Sequence, residues 1–82
     1  MDPRDMPRAF VMITVKVGTD KEVVSRLRSF EHVDKVYEVY GVYDIVAEVH
    51  AESMVELRDA VNSGVRQLPD VLATNTIIVT GT

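Results

Sequence analysis

The sequence of 82 residues contains no cysteine and no tryptophan. The absence of cysteine excludes disulfide bonds and metal sites built on thiolates. A chain of this length forms one domain, and so small a core leaves little margin of stability. Small domains without disulfides or metals are commonly stabilised by a second subunit. We therefore expect a homo-oligomer.

Clusters of positive charge and long apolar runs are also missing. Nine basic residues are scattered among thirteen acidic ones, and the net charge is −4. A duplex-binding protein concentrates Lys and Arg on one surface, so we expect no direct DNA binding. No apolar run approaches the ~20 residues of a membrane span, and residues 1–8 lack the apolar segment of a signal peptide. These features predict a cytoplasmic protein with a flexible tail at residues 1–8, without a membrane partner.

Sixteen valines favour β-structure, because β-branched side chains suit a half-buried pleated surface. Alternation of apolar and polar residues predicts four strands: Ala9–Val17, Val33–Tyr40, Ile45–Ala51 and Val71–Thr80. Capping-box spacings predict two helix starts, at Thr19 with Glu22 and at Ser53 with Glu56. The predicted apolar stripes are Val23, Val24, Leu27 and Phe30 in the first helix, and Met54, Leu57, Val61, Val65 and Leu68 in the second.

The resulting order is βαββαβ. With right-handed crossovers it predicts a ferredoxin-like α+β sandwich, in which a four-stranded antiparallel sheet of order 4-1-3-2 carries both helices on one face. The uncovered face would then present Phe10, Met12 and Val46, together with Ile78 or Ile77 according to the register, and Ile78 is the residue we choose. An apolar patch of this kind predicts a dimer interface in which two sheets pack face to face.

Two short segments resemble a known family. Gly41-Val42-Tyr43-Asp44-Ile45-Val46 follows a strand, and Leu68-Pro69-Asp70-Val71 precedes a strand that contains Thr74 and Thr76. With the βαββαβ order, these segments resemble the ligand-binding effector domain of Lrp/AsnC regulators, also called the RAM domain. Asp70 stands where the family pattern has glycine. The resemblance covers Ala9–Thr80, and the predicted domain is 9–82.

The resemblance implies a dimeric α+β barrel, in which dimers form through the sheets and assemble further. It also implies a small effector, typically an amino acid, bound where dimers meet. The amides of a glycine-containing turn can hold its carboxylate, and Asp44 can receive its ammonium group. The predicted ligand-binding residues are Gly41, Val42, Tyr43, Asp44, Thr74, Asn75 and Thr76. No catalytic residue, metal or cofactor is expected.

Regulators of this family carry an N-terminal helix-turn-helix domain, for which eight residues before the first strand are too few. The sequence therefore predicts a stand-alone module that senses a metabolite or co-assembles with full-length regulators.

Purely structural roles for these residues, and other functions for the domain, are also consistent with the sequence. Gly41 and Asp44 could serve only the turn, and the residues from Thr74 to Thr76 could serve only an edge strand. His32 and His50 lack a third partner for a metal or catalytic set. The rival functions are a small dimeric monooxygenase- or isomerase-like enzyme, an ACT-type module with the same element order, and a structural assembly unit without a ligand.

Overall fold

The computed structural model describes residues 6–80. The elements are β1 (Arg8–Val15), α1 (Asp20–Arg28), β2 (Val33–Glu38), β3 (Ile45–His50), α2 (Met54–Asp59) and β4 (Val71–Val79). A π-helical segment, Ala60–Gly64, and a 3-10 turn, Val65–Gln67, connect α2 to β4. The strands form one antiparallel sheet of order β2-β3-β1-β4, which confirms the predicted ferredoxin-like topology.

The core lies between the sheet and the two helices. Ala9, Val11 and Ile13 of β1 are fully buried on this side, as are Val23 and Leu27 of α1. Among the described residues every buried side chain is apolar. The period-two alternation of β1 and β3 therefore follows from helix cover on one side only.

The opposite side of the sheet, which we call the open face, is defined by the cross-strand register. Met12 pairs with Val46, and Phe10 pairs with Ile77. Ile78 pairs with Ala9 and packs against the core, so the assignment of Ile78 to the open face is wrong, and Ile77 takes its place. Two adjacent isoleucines fit either register equally well, because neighbouring residues of a strand point to opposite faces.

The two predicted capping boxes differ in outcome. The Ser53 hydroxyl accepts the Glu56 N–H at 3.1 Å, as expected for an N-cap. The Thr19 hydroxyl instead donates to the Lys16 carbonyl at 2.6 Å, and it caps no amide of α1. The capping prediction is therefore confirmed for Ser53 and wrong for Thr19.

The predicted second helix is not uniform. Of its predicted apolar stripe, Leu57, Val61 and Val65 are buried and Leu68 packs against the core, whereas Met54 is exposed. It is α-helical only to Asp59 and then widens into the π-helical segment. The apolar stripe fixes which face is buried, but it does not distinguish these helix types.

The first strand begins one residue earlier than predicted. Arg8 already belongs to β1, where it pairs with His50 and Val79, and the Pro7 carbonyl accepts the Ala51 N–H at 3.1 Å. The predicted tail is therefore wrong for Pro7 and Arg8, and its residues 1–5 lie outside the described residues. β1 ends at Val15, and Val17, predicted as strand, is 98% exposed.

Candidate functional site

Three connections meet at one end of the sheet: residues 16–19 after β1, residues 39–44 between β2 and β3, and residues 68–70 before β4. The Lys16 N–H donates to the Asp70 carbonyl at 2.8 Å, and the Asp44 N–H donates to the Ile13 carbonyl at 2.9 Å. Beside them lies a surface cleft of about 660 Å³, which we call the hairpin cleft. Its lining residues are Thr14, Val15, Lys16, Val17, Gly18, Asp20, Glu38, Val39, Asp44 and Leu72.

Asp44 ties the hairpin to β1. Its carboxylate oxygen Oδ2 accepts the Val15 N–H at 2.9 Å, and its carbonyl accepts the Val39 N–H at 3.0 Å. The other carboxylate oxygen, Oδ1, makes no hydrogen bond within residues 6–80. Asp44 thus has the predicted structural role, and it also lines the hairpin cleft.

The turns around the cleft depend on glycine. Gly18 has φ +86° and Gly41 has φ +154°, which are values that residues with a Cβ rarely adopt. A Cβ built at either position would meet nothing within 4 Å, so both backbones are open to an approaching molecule. Beside Gly41, Tyr40 and Val42 are almost entirely exposed.

The structure brings only some of the predicted ligand-binding residues together. The Asn75 Nδ2 donates to the Tyr43 hydroxyl at 3.1 Å, and this bond links β4 to the hairpin. Thr74 and Thr76 pair with Ile13 and Val11, so both lie on the helix side of β4, opposite Asn75. Thr76 lines a separate cleft of about 210 Å³ beside α2. Of the seven predicted ligand-binding residues, all of which the structure describes, only Asp44 lines the hairpin cleft within one chain.

The cleft contains charged residues that the sequence analysis missed. The pKa of Glu38 is raised, chiefly because its carboxyl group hydrogen-bonds Asp20, and the pKa of Asp20 is lowered, chiefly by the same bond. Lys16 supplies a positive charge in the same cleft. Asp20 begins α1 and Glu38 ends β2, so only the βαββαβ topology, which places these ends together, could have identified the pair.

The two histidines lie at the other end of the sheet. His50 Nδ1 stands 2.8 Å from Asp34 Oδ2, and His32 Nε2 stands 3.4 Å from Glu56 Oε1. The rings meet edge to face, with their centroids 6.2 Å apart. Within the described part of the chain no group of three or more His, Asp or Glu side chains is arranged to hold a metal ion.

The family model of the Lrp/AsnC ligand binding domain matches residues 8–82 of the sequence. The chain belongs to this family. It is 37% identical over 71 residues to the HTH-type transcriptional regulator FL11 of Pyrococcus abyssi. The aligned segment covers 87% of the chain and 46% of the regulator. The chain thus spans about half the length of the curated Lrp/AsnC relatives it matches.

Solved structures agree with this assignment. TTHA0845 from Thermus thermophilus superimposes with a TM-score of 0.89 and 31% identity, over 94% of the chain and 96% of that protein. The feast or famine regulatory protein Rv3291c of M. tuberculosis, complexed with L-methionine, gives a TM-score of 0.79 and 28% identity, over 96% of the chain and 52% of that protein. These likenesses place the fold among Lrp/AsnC domains. Across residues 6–80, no helix is both long enough and apolar enough to cross a membrane.

Proposed function

We propose that this domain is the effector-binding and oligomerisation module of an Lrp/AsnC-type regulatory system, and that a free amino acid binds in the hairpin cleft. The observation that carries this proposal is the composition of the cleft, which holds both signs of charge beside an apolar wall. Family membership supports it, as does the L-methionine bound by a relative of the same fold.

Each part of a zwitterion has a complementary group in the cleft. The ammonium group binds the free Oδ1 of Asp44, since a charge-assisted hydrogen bond is stronger than a neutral one. The carboxylate binds the Lys16 side chain and the backbone around Gly18, both of which line the cleft. These groups suit a ligand that carries one positive and one negative charge.

The wall of the cleft selects the side chain of the effector. Val17, Val39 and Leu72 line it and are 98%, 41% and 66% exposed, so they offer apolar surface that a ligand can cover. We therefore expect an apolar amino acid, with L-methionine as the first one to test.

Oligomerisation belongs to the same proposal. The open face presents an apolar patch on a small domain, and a second copy is the partner of matching shape and chemistry. A ligand bound at the junction of copies shifts assembly toward the oligomer that binds it better. The same face would allow co-assembly with longer regulators of the family.

The experiment is a thermal-shift screen of the twenty amino acids on the wild-type chain and on Asp44→Asn and Asp44→Ala. A ligand at one hundred times its Kd stabilises the wild type by about 2.7 kcal/mol. Asn keeps a side-chain oxygen for the Val15 N–H, so Asp44→Asn should fold normally and lose the response. Ala removes this acceptor and should also cost about 1–2 kcal/mol of stability.

Asp59→Asn is the matched control, because Asp59 is exposed on α2 and does not line the cleft. It should respond as the wild type does. A full response from Asp44→Asn would refute the role of the carboxylate, and the absence of any stabilising amino acid would refute the effector proposal.

The enzyme alternative finds less support. A monooxygenase- or isomerase-like site requires a placed acid, base or nucleophile between helices and sheet, where the buried side chains of the described residues are all apolar. The relatives named above whose role is stated are regulators.

A further inference from the structure

A second cavity lies between the sheet and the helices, toward the end of the sheet opposite the hairpin cleft. Its volume is about 270 Å³, and its interior is formed by the apolar side chains of Phe30, Val33, Val49, Ala60 and Val65. We call it the Phe30 cavity. Val49 and Val65 are almost completely buried, so the interior of the cavity belongs to the rigid core and not to a loop.

The π-helical segment explains why space remains here. Ala60 and Gly64, its first and last residues, form one wall, and neither has a side chain that could fill the gap. A Cβ built on Gly64 would already contact the Phe30 ring at 3.5 Å. Single π-helical turns inside helices are rare and occur frequently at functional sites. The break in the second helix thus coincides with the wall of a cavity.

The mouth of the cavity carries three polar side chains, two of which are already engaged. The Ser29 hydroxyl donates to the Arg26 carbonyl at 2.6 Å. His32 Nδ1 lies 3.0 Å from the His50 carbonyl oxygen, and Nε2 lies 3.4 Å from a Glu56 carboxylate oxygen.

Glu31 is the third polar side chain at the mouth. Its carboxylate makes no ion pair within residues 6–80, and it is exposed. The mouth therefore presents an unpaired negative charge above an apolar interior.

We propose that the Phe30 cavity is a second ligand site, which takes a small organic ammonium ion with an apolar body. The body enters the apolar interior and the ammonium group remains at the mouth beside Glu31. An apolar cavity of about 150 Å³ suffices for benzene, so an aromatic or branched body of about seven carbons fits. A free amino acid fits worse, because no Lys or Arg lines this cavity to bind its carboxylate, whereas Lys16 lines the hairpin cleft. This site is therefore chemically distinct from the hairpin cleft.

Three probes of nearly equal shape and different charge test the proposal: benzylamine, benzyl alcohol and benzoate. Binding to the full chain is followed by the methyl NMR signals of Val49, Val65 and Ala60, with Val17 at the hairpin cleft as the distant reference. Benzylamine should bind most tightly, by about two- to five-fold over the alcohol, as expected for a solvent-exposed charge pair. Benzoate should bind most weakly.

Three variants complete the test. Glu31→Gln is a surface change that leaves the fold intact, and it should make the amine and the alcohol bind equally. Glu22→Gln removes a carboxylate from α1 far from the cavity and should keep the preference. Ala60→Leu fills the cavity and should abolish binding of all three probes.

Several results would overturn the proposal. They are the absence of saturable shifts at Val49 and Val65, shifts confined to Val17, benzoate binding as tight as that of benzylamine, and an amine preference that survives in Glu31→Gln. None of them depends on whether an amino acid stabilises the protein through Asp44.

Discussion

Asp70 shows how a single backbone angle accounts for a departure from the family pattern. Its φ is +72°, in the left-handed region where glycine is favoured and where aspartate is tolerated better than most residues. Its carbonyl accepts the Lys16 N–H at 2.8 Å. This bond joins the turn before β4 to Lys16, which lines the hairpin cleft. Aspartate can therefore stand where the family pattern has glycine, because it adopts this φ more readily than most residues do.

A substitution series at Asp70 measures this strain. Asp70→Val should lower the free energy of unfolding by about 1–2 kcal/mol, because a β-branched residue fits the left-handed region poorly. Asp70→Gly and Asp70→Asn should remain close to the wild type. Urea denaturation provides the measurement, and equal stability of the Val and Gly variants would contradict it.

The Glu38–Asp20 pair predicts a specific dependence on pH. The raised pKa of Glu38 gives stability that is present at low pH and is lost as the pH rises through that pKa. The lowered pKa of Asp20 gives stability that is lost only as the pH falls through that pKa. The pair is therefore most favourable when it holds one proton, and this stability is lost as the pH rises through the raised pKa of Glu38.

Glu38→Gln should consequently gain stability relative to the wild type as the pH rises from about 4 to 7, because the amide donates to Asp20 at every pH. Melting temperatures across this range provide the measurement. The control is Glu22→Gln, because Glu22 pairs with Arg26 at 3.0 Å and its replacement should bring no such gain. A constant difference between Glu38→Gln and the wild type would count against a shared proton.

At the level of the elements, the two helix starts show what local sequence can and cannot predict. Both have capping-box spacing, but only the Ser53 hydroxyl bonds an amide of its helix. Ser53→Ala should therefore destabilise the protein by about 1 kcal/mol, and Thr19→Ala should cost less, because it removes no helix cap. Chemical denaturation of the two variants tests this order, and a larger loss for Thr19→Ala would contradict it.

Some features of the elements could be predicted from the sequence, and others could not. Strand positions followed from alternation, because burial on one face imposes a period of two. The choice between Ile77 and Ile78 could not be made in this way, since it depends on how β4 aligns with β1 around a shift between Thr14 and Val15. The π-helical segment likewise depends on packing, because its apolar residues repeat as they would in an α-helix.

For the whole molecule, the fold could be predicted from the sequence, whereas most of the site could not. Topology and core were predicted because apolar burial dominates both. The cleft unites Lys16, Asp20, Glu38 and Asp44 from separate segments, and their proximity is a product of the topology rather than of any local pattern. Asp44 alone was predicted, because it lies within a recognisable motif.

The open face has the arrangement expected of an interface. The cross-strand pairs Met12–Val46 and Phe10–Ile77 are apolar and lie around β1, in the interior of the sheet. Polar side chains lie among them, because Phe10 also pairs with Glu48 and Met12 also pairs with Asn75. Apolar side chains with a few polar ones among them are a usual composition of a protein–protein contact.

We expect the wild-type chain to elute as a dimer or larger species in size-exclusion chromatography with light scattering. Met12→Lys places an unpaired charge at the centre of the open face, and its burial should raise the dissociation constant at least about a hundredfold. Val55→Lys is the matched control, because Val55 is 71% exposed on α2 and lies outside the open face. A monomeric wild type at micromolar concentration, or equal dissociation of the two variants, would show that the open face is not the contact. If only Met12→Lys dissociates, the open face is the contact between copies, and its burial adds to the small apolar core of each domain.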